Sequence, residues 1–140
     1  MLIGERTAEN VKINVGSAMT KLDNPPEDYS VLGRDLLTGH PKEIIVSYSE
    51  IAQALDKSIS KIEDSIHTAL NQTPPQLSAD IFRTGIYLAG GGALLRGLDK
   101  RISARTKLPV HIAEDPLHAV AKGTAIALKN IDRFPFLMSE

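Results

Sequence analysis

Apolar residues recur three or four positions apart over much of the chain. The strongest series is Ile51, Leu55, Ile59, Ile62, Ile66 and Leu70, which predicts a long amphipathic helix with its stripe facing a core. Ser49 stands just ahead of the stripe and marks its start, and Pro74-Pro75 ends it, because proline cannot continue a helix. A shorter helix over Leu77 to Arg83 follows. Near the amino terminus Ile3, Ala8, Val11 and Val15 recur at similar spacing, with polar residues between them, and predict a helix that must end before the turn chemistry of Asp23-Asn24-Pro25-Pro26. That helix opens at the start of the chain with no preceding cap, which leads us to expect a larger parent protein.

Other stretches carry strand chemistry. Tyr29 to Leu32 and Glu43 to Ser49 are rich in β-branched and aromatic residues and flank Gly33 to Pro41, a pattern that predicts a hairpin with a long or bulged connection. Gly85 to Ala89 is a short apolar run opening into Gly90-Gly91-Gly92, after which Leu94, Leu95, Leu98 and Ile102 resume helical spacing. This reads as strand, glycine turn, helix. Leu108 to Ile112 predicts another strand, and Asp115-Pro116 an amino cap with proline in the first turn of a helix from Leu117 to about Asn130. Phe134 to Met138 is apolar, with no evident place in a core of its own. Helix plus hairpin thus comes first and alternating helix and strand second. The fold class is α/β, with α+β character at the amino terminus, and a boundary falls near Ser49.

Composition narrows the function. The chain has 140 residues, 42% of them hydrophobic, enough for one or two small units. Its 16 basic and 17 acidic residues are spread along the chain, so nothing recommends a nucleic-acid surface. The absence of cysteine excludes a disulfide framework and thiol chemistry, and is compatible with a cytoplasmic protein. No apolar run approaches the roughly 18 residues needed to span a bilayer, and the first residues carry acid where a secretory signal keeps its basic flank.

Candidate chemistry centres on the glycines. Three in succession between a strand and a helix let the backbone approach a ligand without a Cβ in the way, and a following helix would offer free N–H groups to anionic oxygens. The same glycines also suit a tight turn. Neither G-x-x-x-x-G-K-[ST] nor G-x-G-x-x-G occurs, so this is not a Walker loop or a dinucleotide fingerprint. His40, His67, His111 and His118 lie in different elements without ligand spacing, and no metal site is assigned. No catalytic residue is assigned either. Asp115 reads as a cap, and Glu63-Asp64 and Asp99-Lys100-Arg101 as solvated helix faces.

The run Gly85 to Leu98 (GIYLAGGGALLRGL) resembles the adenosine motif of the actin, sugar kinase and heat-shock chaperone ATPase superfamily, and Asp115 to Ala125 resembles its second connecting helix. Ile3 to Lys12, Gly33 to Gly39 (GRDLLTG) and Gln72 to Ile81 are similar to segments of the MreB family of bacterial actin homologues, in the family's order. The heat-shock chaperone alternative is disfavoured because those ATPases lack a GRDLLTG-type hairpin.

The resemblance implies a partial actin-like ATPase fold. Residues 1–48 would be the small subdomain of the second actin-like domain, 49–117 the distal part of its large, ribonuclease H-like subdomain, and 118–140 a helix and tail that pack on the first domain. It further implies an ATP-dependent cytoskeletal filament protein that determines rod cell shape and organises cell-wall synthesis, at the inner face of the cell membrane. Its ligand would be ATP or ADP with Mg2+, and its partners would be copies of itself and cell-wall synthesis and morphogenesis proteins. By position in the motifs, Glu9, Lys12, Gly90, Gly91, Gly92 and Ala93 would contact the nucleotide. Without the resemblance, Glu9 and Lys12 read as an i,i+3 surface ion pair. In the family, the phosphate-binding hairpins and the groups that hold magnesium and orient water precede the region matched here, and membrane contact is made mainly through parts outside it. The stretch alone is therefore expected to bind nucleotide weakly or not at all and to be inactive as an ATPase. The alternative is a non-enzymatic polymerisation or interaction module.

Overall fold

The computed structural model describes residues 1–133; the apolar segment from Phe134 to Met138 lies outside them. Helix α1 spans Glu5–Val15 and buries Val11 and Val15, two of the positions that periodicity selects. It starts later than Ile3 because Leu2 is held in a bridge to Arg34, with hydrogen bonds of 2.7 and 2.9 Å.

Strands β1 (Tyr29–Arg34) and β2 (Pro41–Val46) pair antiparallel, Tyr29 opposite Val46 and Arg34 opposite Pro41. The ladder reaches further toward the turn than the β-branched residues indicated. Asp35 closes the turn: its carboxylate accepts the Leu37 N–H at 2.8 Å and the Lys42 ammonium at 3.2 Å. At the other end β2 stops at Val46, because Ser47 caps the next helix. Its hydroxyl accepts the Glu50 N–H while the Glu50 carboxylate accepts the Ser47 N–H at 2.8 Å. This reciprocal box starts α2 (Tyr48–Gln72) ahead of Ser49 and satisfies two otherwise orphaned donors. Pro74 and Pro75 then end α2 and open α3 (Pro75–Thr84), with Pro75 in the first turn.

Strands β3 (Ile86–Leu88) and β4 (Val110–Ile112) pair in parallel, and α4 (Leu98–Thr106) is the crossover between them. Helix α5 (Ala119–Lys129) follows. Its amino cap is His118, which displaces Asp115 from the predicted role. Residues 115–118 form a turn in which the His118 N–H reaches the Asp115 carbonyl at 3.2 Å.

Among the described residues two hydrophobic clusters hold α1, α2, α4 and the four strands. Val11, Val15 and Val31 form one, joined by Tyr48 and Ile51 from the start of α2. Ala18, Ile59, Leu98 and Ile102 form the other, joined by Leu55, Ile66, Leu88 and Val110. Helix α2 therefore belongs to both. Fully burying a side chain such as Ile102, which is 1% exposed, contributes about 1.5–3 kcal/mol. The stripe also carries a charge, four residues after Ile59 and three before Ile66, which the acidic pair Glu63-Asp64 suggested was solvated. Glu63 is buried, and Arg101 of α4 donates to both of its carboxylate oxygens at 2.9 and 3.2 Å. Arg101 also reaches Asp56 at 2.8 Å and the Ala18 carbonyl at 3.1 Å. These charges raise the Arg101 guanidinium above its ordinary value, Glu63 contributing most. Helices α2 and α4 are clamped across their contact, so Glu63 and Arg101 are not the solvated faces their neighbours in sequence suggest. Among the described residues no helix is long and apolar enough to cross a membrane.

Candidate functional site

A cavity of about 490 Å3 opens between α1, the middle of α2 and the glycine turn, within the roughly 300–1,000 Å3 of small-molecule sites. Glu9, Lys12 and Ile13 form one wall, Gly91 and Gly92 face them, and Ile59, Ile62, Leu94, Leu95, Leu98 and Leu117 supply an apolar lining. Glu9 and Lys12 lie one turn apart and pair at 2.7 Å, with side chains 55% and 47% exposed. An exposed i,i+3 pair stabilises a helix only slightly and separates easily in favour of another partner.

The glycine turn differs from its expected form. Gly91–Leu94 is a short 3-10 turn, and α4 begins only at Leu98, after the left-handed Gly97. The glycines therefore do not sit at an α-helix amino terminus. Gly90 has φ +81°, a conformation that side chains disfavour, and its N–H donates to the Pro116 carbonyl at 2.6 Å. It is a tight-turn glycine with its amide already engaged. Gly91 and Gly92 have negative φ; a Cβ on Gly91 would meet only Leu117 at 3.4 Å, and one on Gly92 would meet nothing within 4 Å. Neither backbone geometry nor packing requires glycine at Gly92. Ala93 is buried, 3% exposed, and its N–H donates to the Gly90 carbonyl at 3.1 Å.

Of the residues selected from sequence, the fold thus brings Glu9, Lys12, Gly91 and Gly92 to one cavity, while Gly90 shapes the turn and Ala93 packs beneath it. The apolar lining was not among those residues. Ile59 and Ile62 were read only as part of a core stripe, and Ile62 is in fact 47% exposed. Leu94 and Leu95 follow the glycines after a single alanine, and that proximity could have marked them.

Asp115 and Pro116 immediately precede Leu117, which lines the cavity. The Asp115 carboxylate accepts from Lys122 Nζ at 2.8 Å and pairs with His118 Nδ1 at 2.9 Å, tying the segment before Leu117 to α5. The Lys122 hydrogen bond, and next the His118 one, hold this carboxyl below the ordinary aspartate range. A second hollow, of about 600 Å3, is lined by Met19, Lys21, Gln53, Asp56 and Arg101 among others. It is larger, but its Arg101 and Asp56 already satisfy each other, and no selected residue reaches it. Among the described residues no three His, Cys, Asp or Glu side chains gather where they could hold a metal ion.

Comparison with known proteins gives a consistent set of relatives. A family model described as MreB/Mbl protein matches residues 1–135. The cell shape-determining protein Mbl of Bacillus cereus is 47% identical over 135 residues, covering 96% of this chain and 40% of that protein. The chain thus spans about two-fifths of the length of the curated relatives it matches. MreB5 of Spiroplasma citri bound to ADP superposes with a TM-score of 0.88 at 43% identity, over 94% of this chain and 39% of that one. Its AMPPNP-bound form gives 0.89 at 40% identity, over 99% and 41%.

Proposed function

The chain belongs to the MreB/Mbl protein family, and on that premise we propose that it forms the adenosine side of a nucleotide site in a cytoskeletal filament protein that determines cell shape. Its fold is part of the actin-like α/β architecture. The observation that carries the nucleotide reading is Gly92: a glycine the protein's own geometry does not need, with no atom within 4 Å of its absent Cβ, on the wall of a cavity that also holds Glu9 and Lys12. A ligand lying against the backbone would need that space. MreB5 of Spiroplasma citri, crystallised with ADP and with AMPPNP, makes adenine nucleotides the class to test.

In this reading the Glu9 carboxylate accepts from ribose hydroxyls, and the aliphatic stem of Lys12 covers a face of adenine. Leucine and isoleucine side chains receive the base. Gly91 and Gly92 let the backbone close on the sugar and its first phosphate, while Gly90 and Ala93 hold the turn in shape. One carboxylate and one ammonium amid apolar residues make a set suited to base and sugar. Phosphoryl transfer uses positioned metal ions, phosphate donors and a group that orients the nucleophile; we assign Mg2+ and those groups to the remaining three-fifths of a full-length relative. The stretch itself binds nucleotide without turning it over.

The subdomain division at residues 1–48, 49–117 and 118–140 is part of the same proposal, as are the cytoplasmic setting beneath the membrane and partners in cell-wall synthesis. Self-association is assigned to the β1–β2 hairpin, whose tip exposes Leu36 (65%) and Leu37 (96%). Leu36→Ser with Leu37→Ser should then weaken co-assembly with full-length MreB in a sedimentation assay; undiminished co-assembly removes the hairpin from the contact.

For the nucleotide reading, thermal melts with and without millimolar ADP are decisive, because a ligand selective for the native state raises the melting temperature by mass action. The unsubstituted chain should be stabilised. Gly92→Ala should melt at nearly the same temperature without ligand and lose the shift, and an equal ADP shift in both proteins would rule out close backbone contact at Gly92.

A further inference from the structure

Arg96 lies just beyond the glycine turn, and it grips the opposite wall of the cavity with both its side chain and its main chain. Its guanidinium Nη1 donates to the Ile13 carbonyl at 3.1 Å and the Gly16 carbonyl at 3.4 Å. These carbonyls lie at the carboxy-terminal end of α1, where acceptors lack partners within the helix and the dipole favours a cation. The Arg96 carbonyl in turn accepts the Ala18 N–H at 2.8 Å and, at 3.3 Å, shares the Ser17 hydroxyl proton with the Met19 carbonyl at 2.7 Å. Ser17 is fully buried, and its Oγ also accepts the Met19 N–H at 3.0 Å, locking the loop that leaves α1. The walls also meet directly. A Cβ on Gly16 would lie 2.1 Å from the Lys12 carbonyl of its own helix end, so glycine is needed for the chain to leave α1 as it does, and 3.0 Å from Leu95 Cδ1, which packs against that end.

We propose that Arg96 is a positioning residue for the nucleotide: its clasp on the end of α1 fixes the gap between the wall bearing Glu9 and Lys12 and the wall bearing Gly91 and Gly92. The proposal rests on the nucleotide reading above. Arg96 itself does not line the cavity; it acts through α1. The covalent path supplies one tether, since Arg96 follows Gly92 by a few residues, and the hydrogen bonds to Ile13, Gly16, Ser17 and Ala18 supply the other. Arg96→Met removes the side-chain half of the clasp and leaves the backbone half. Arg96→Lys keeps a cation at the helix end without the planar fork, so it should restore part of the function.

Two measurements on the chain test this. Because the sequence lacks cysteine, Asn10→Cys on α1 and Asp99→Cys at the start of α4 accept spin labels cleanly. Their distance distribution should be narrow with Arg96, broader with Arg96→Met, and partly narrowed again with Arg96→Lys. Calorimetric titration with ADP should show Arg96→Met weakening binding roughly tenfold, as for loss of a charge-assisted hydrogen bond. That penalty should vanish when Glu9→Ala and Lys12→Ala are already present, because the contacts it aligns are gone. An unchanged distance distribution in Arg96→Met, or a penalty undiminished in the Glu9→Ala, Lys12→Ala background, overturns the clasp while leaving the nucleotide site standing. ADP affinity indifferent to Glu9→Ala and Lys12→Ala overturns the site reading and the positioning role together.

Discussion

The pair between Arg101 and Glu63 and the pair between Lys12 and Glu9 use the same chemistry in opposite surroundings. In the first, the side chains are 19% and 6% exposed and Arg101 is held by further bonds to Asp56, Ser60 and the Ala18 carbonyl. In the second, they are 47% and 55% exposed and, among the described residues, pair with each other. A buried, saturated pair has no capacity left for a ligand, and breaking it strands a charge. An exposed pair costs little to open, and here it opens onto a cavity with an apolar lining and a glycine wall. The comparison separates a clamp that holds helices together from a pair available for recognition, although distance alone, 2.9 against 2.7 Å, would rank them alike.

Three experiments probe that contrast and the charge pairs around it. The largest effect should come from Arg101→Met alone, which leaves Glu63 buried and unpaired and should cost about 3 kcal/mol in urea denaturation. Adding Glu63→Leu should recover much of the loss; a loss that persists in full would mean packing rather than the stranded charge carries the effect. Next, Lys12→Ala should change stability by no more than about 0.5 kcal/mol in the same assay while weakening ADP binding. A destabilisation comparable to Arg101→Met would make the exposed pair structural after all. The smallest effect is one of pH. The Asp115 carboxyl is held below its ordinary value first by Lys122 and then by His118, so the native state resists its protonation. The resulting stabilisation is complete above the ordinary aspartate range of about pH 4 and is lost as pH falls through the lowered value. Melting temperature plotted against pH should therefore fall less steeply below about pH 4 in Lys122→Ala than in the parent, and parallel curves would remove Asp115 from the acid response.

Much of the scaffold was legible because its signals are local. The three-and-four spacing from Ile51 to Leu70 located α2, and Pro74-Pro75 its end. The S-x-x-E of Ser47 to Glu50 was a readable capping box that a serine nearer the stripe obscured. What sequence spacing could not supply were the features created when distant segments meet. Glu63 looks solvated until α4 brings Arg101 to it. Asp115 looks like a cap until Lys122 and His118 draw its carboxylate away. For the site, the motif resemblance singled out α1 and the glycine run, which are far apart in the chain, and tertiary packing sets them around one cavity. The delayed start of α4 depends on the left-handed Gly97, and hydrophobic spacing carries no mark of it.

We propose that Glu9, Lys12, Gly91 and Gly92 form one face of an adenine-nucleotide site. The most direct test is an ADP titration followed by amide NMR, which registers weak binding residue by residue. Saturable shifts are expected at Gly91 and Gly92 and along α1 at Glu9 and Lys12, with the Arg101 amide nearly still. Shifts confined to other regions, or none at Gly92 up to saturating nucleotide, would contradict it.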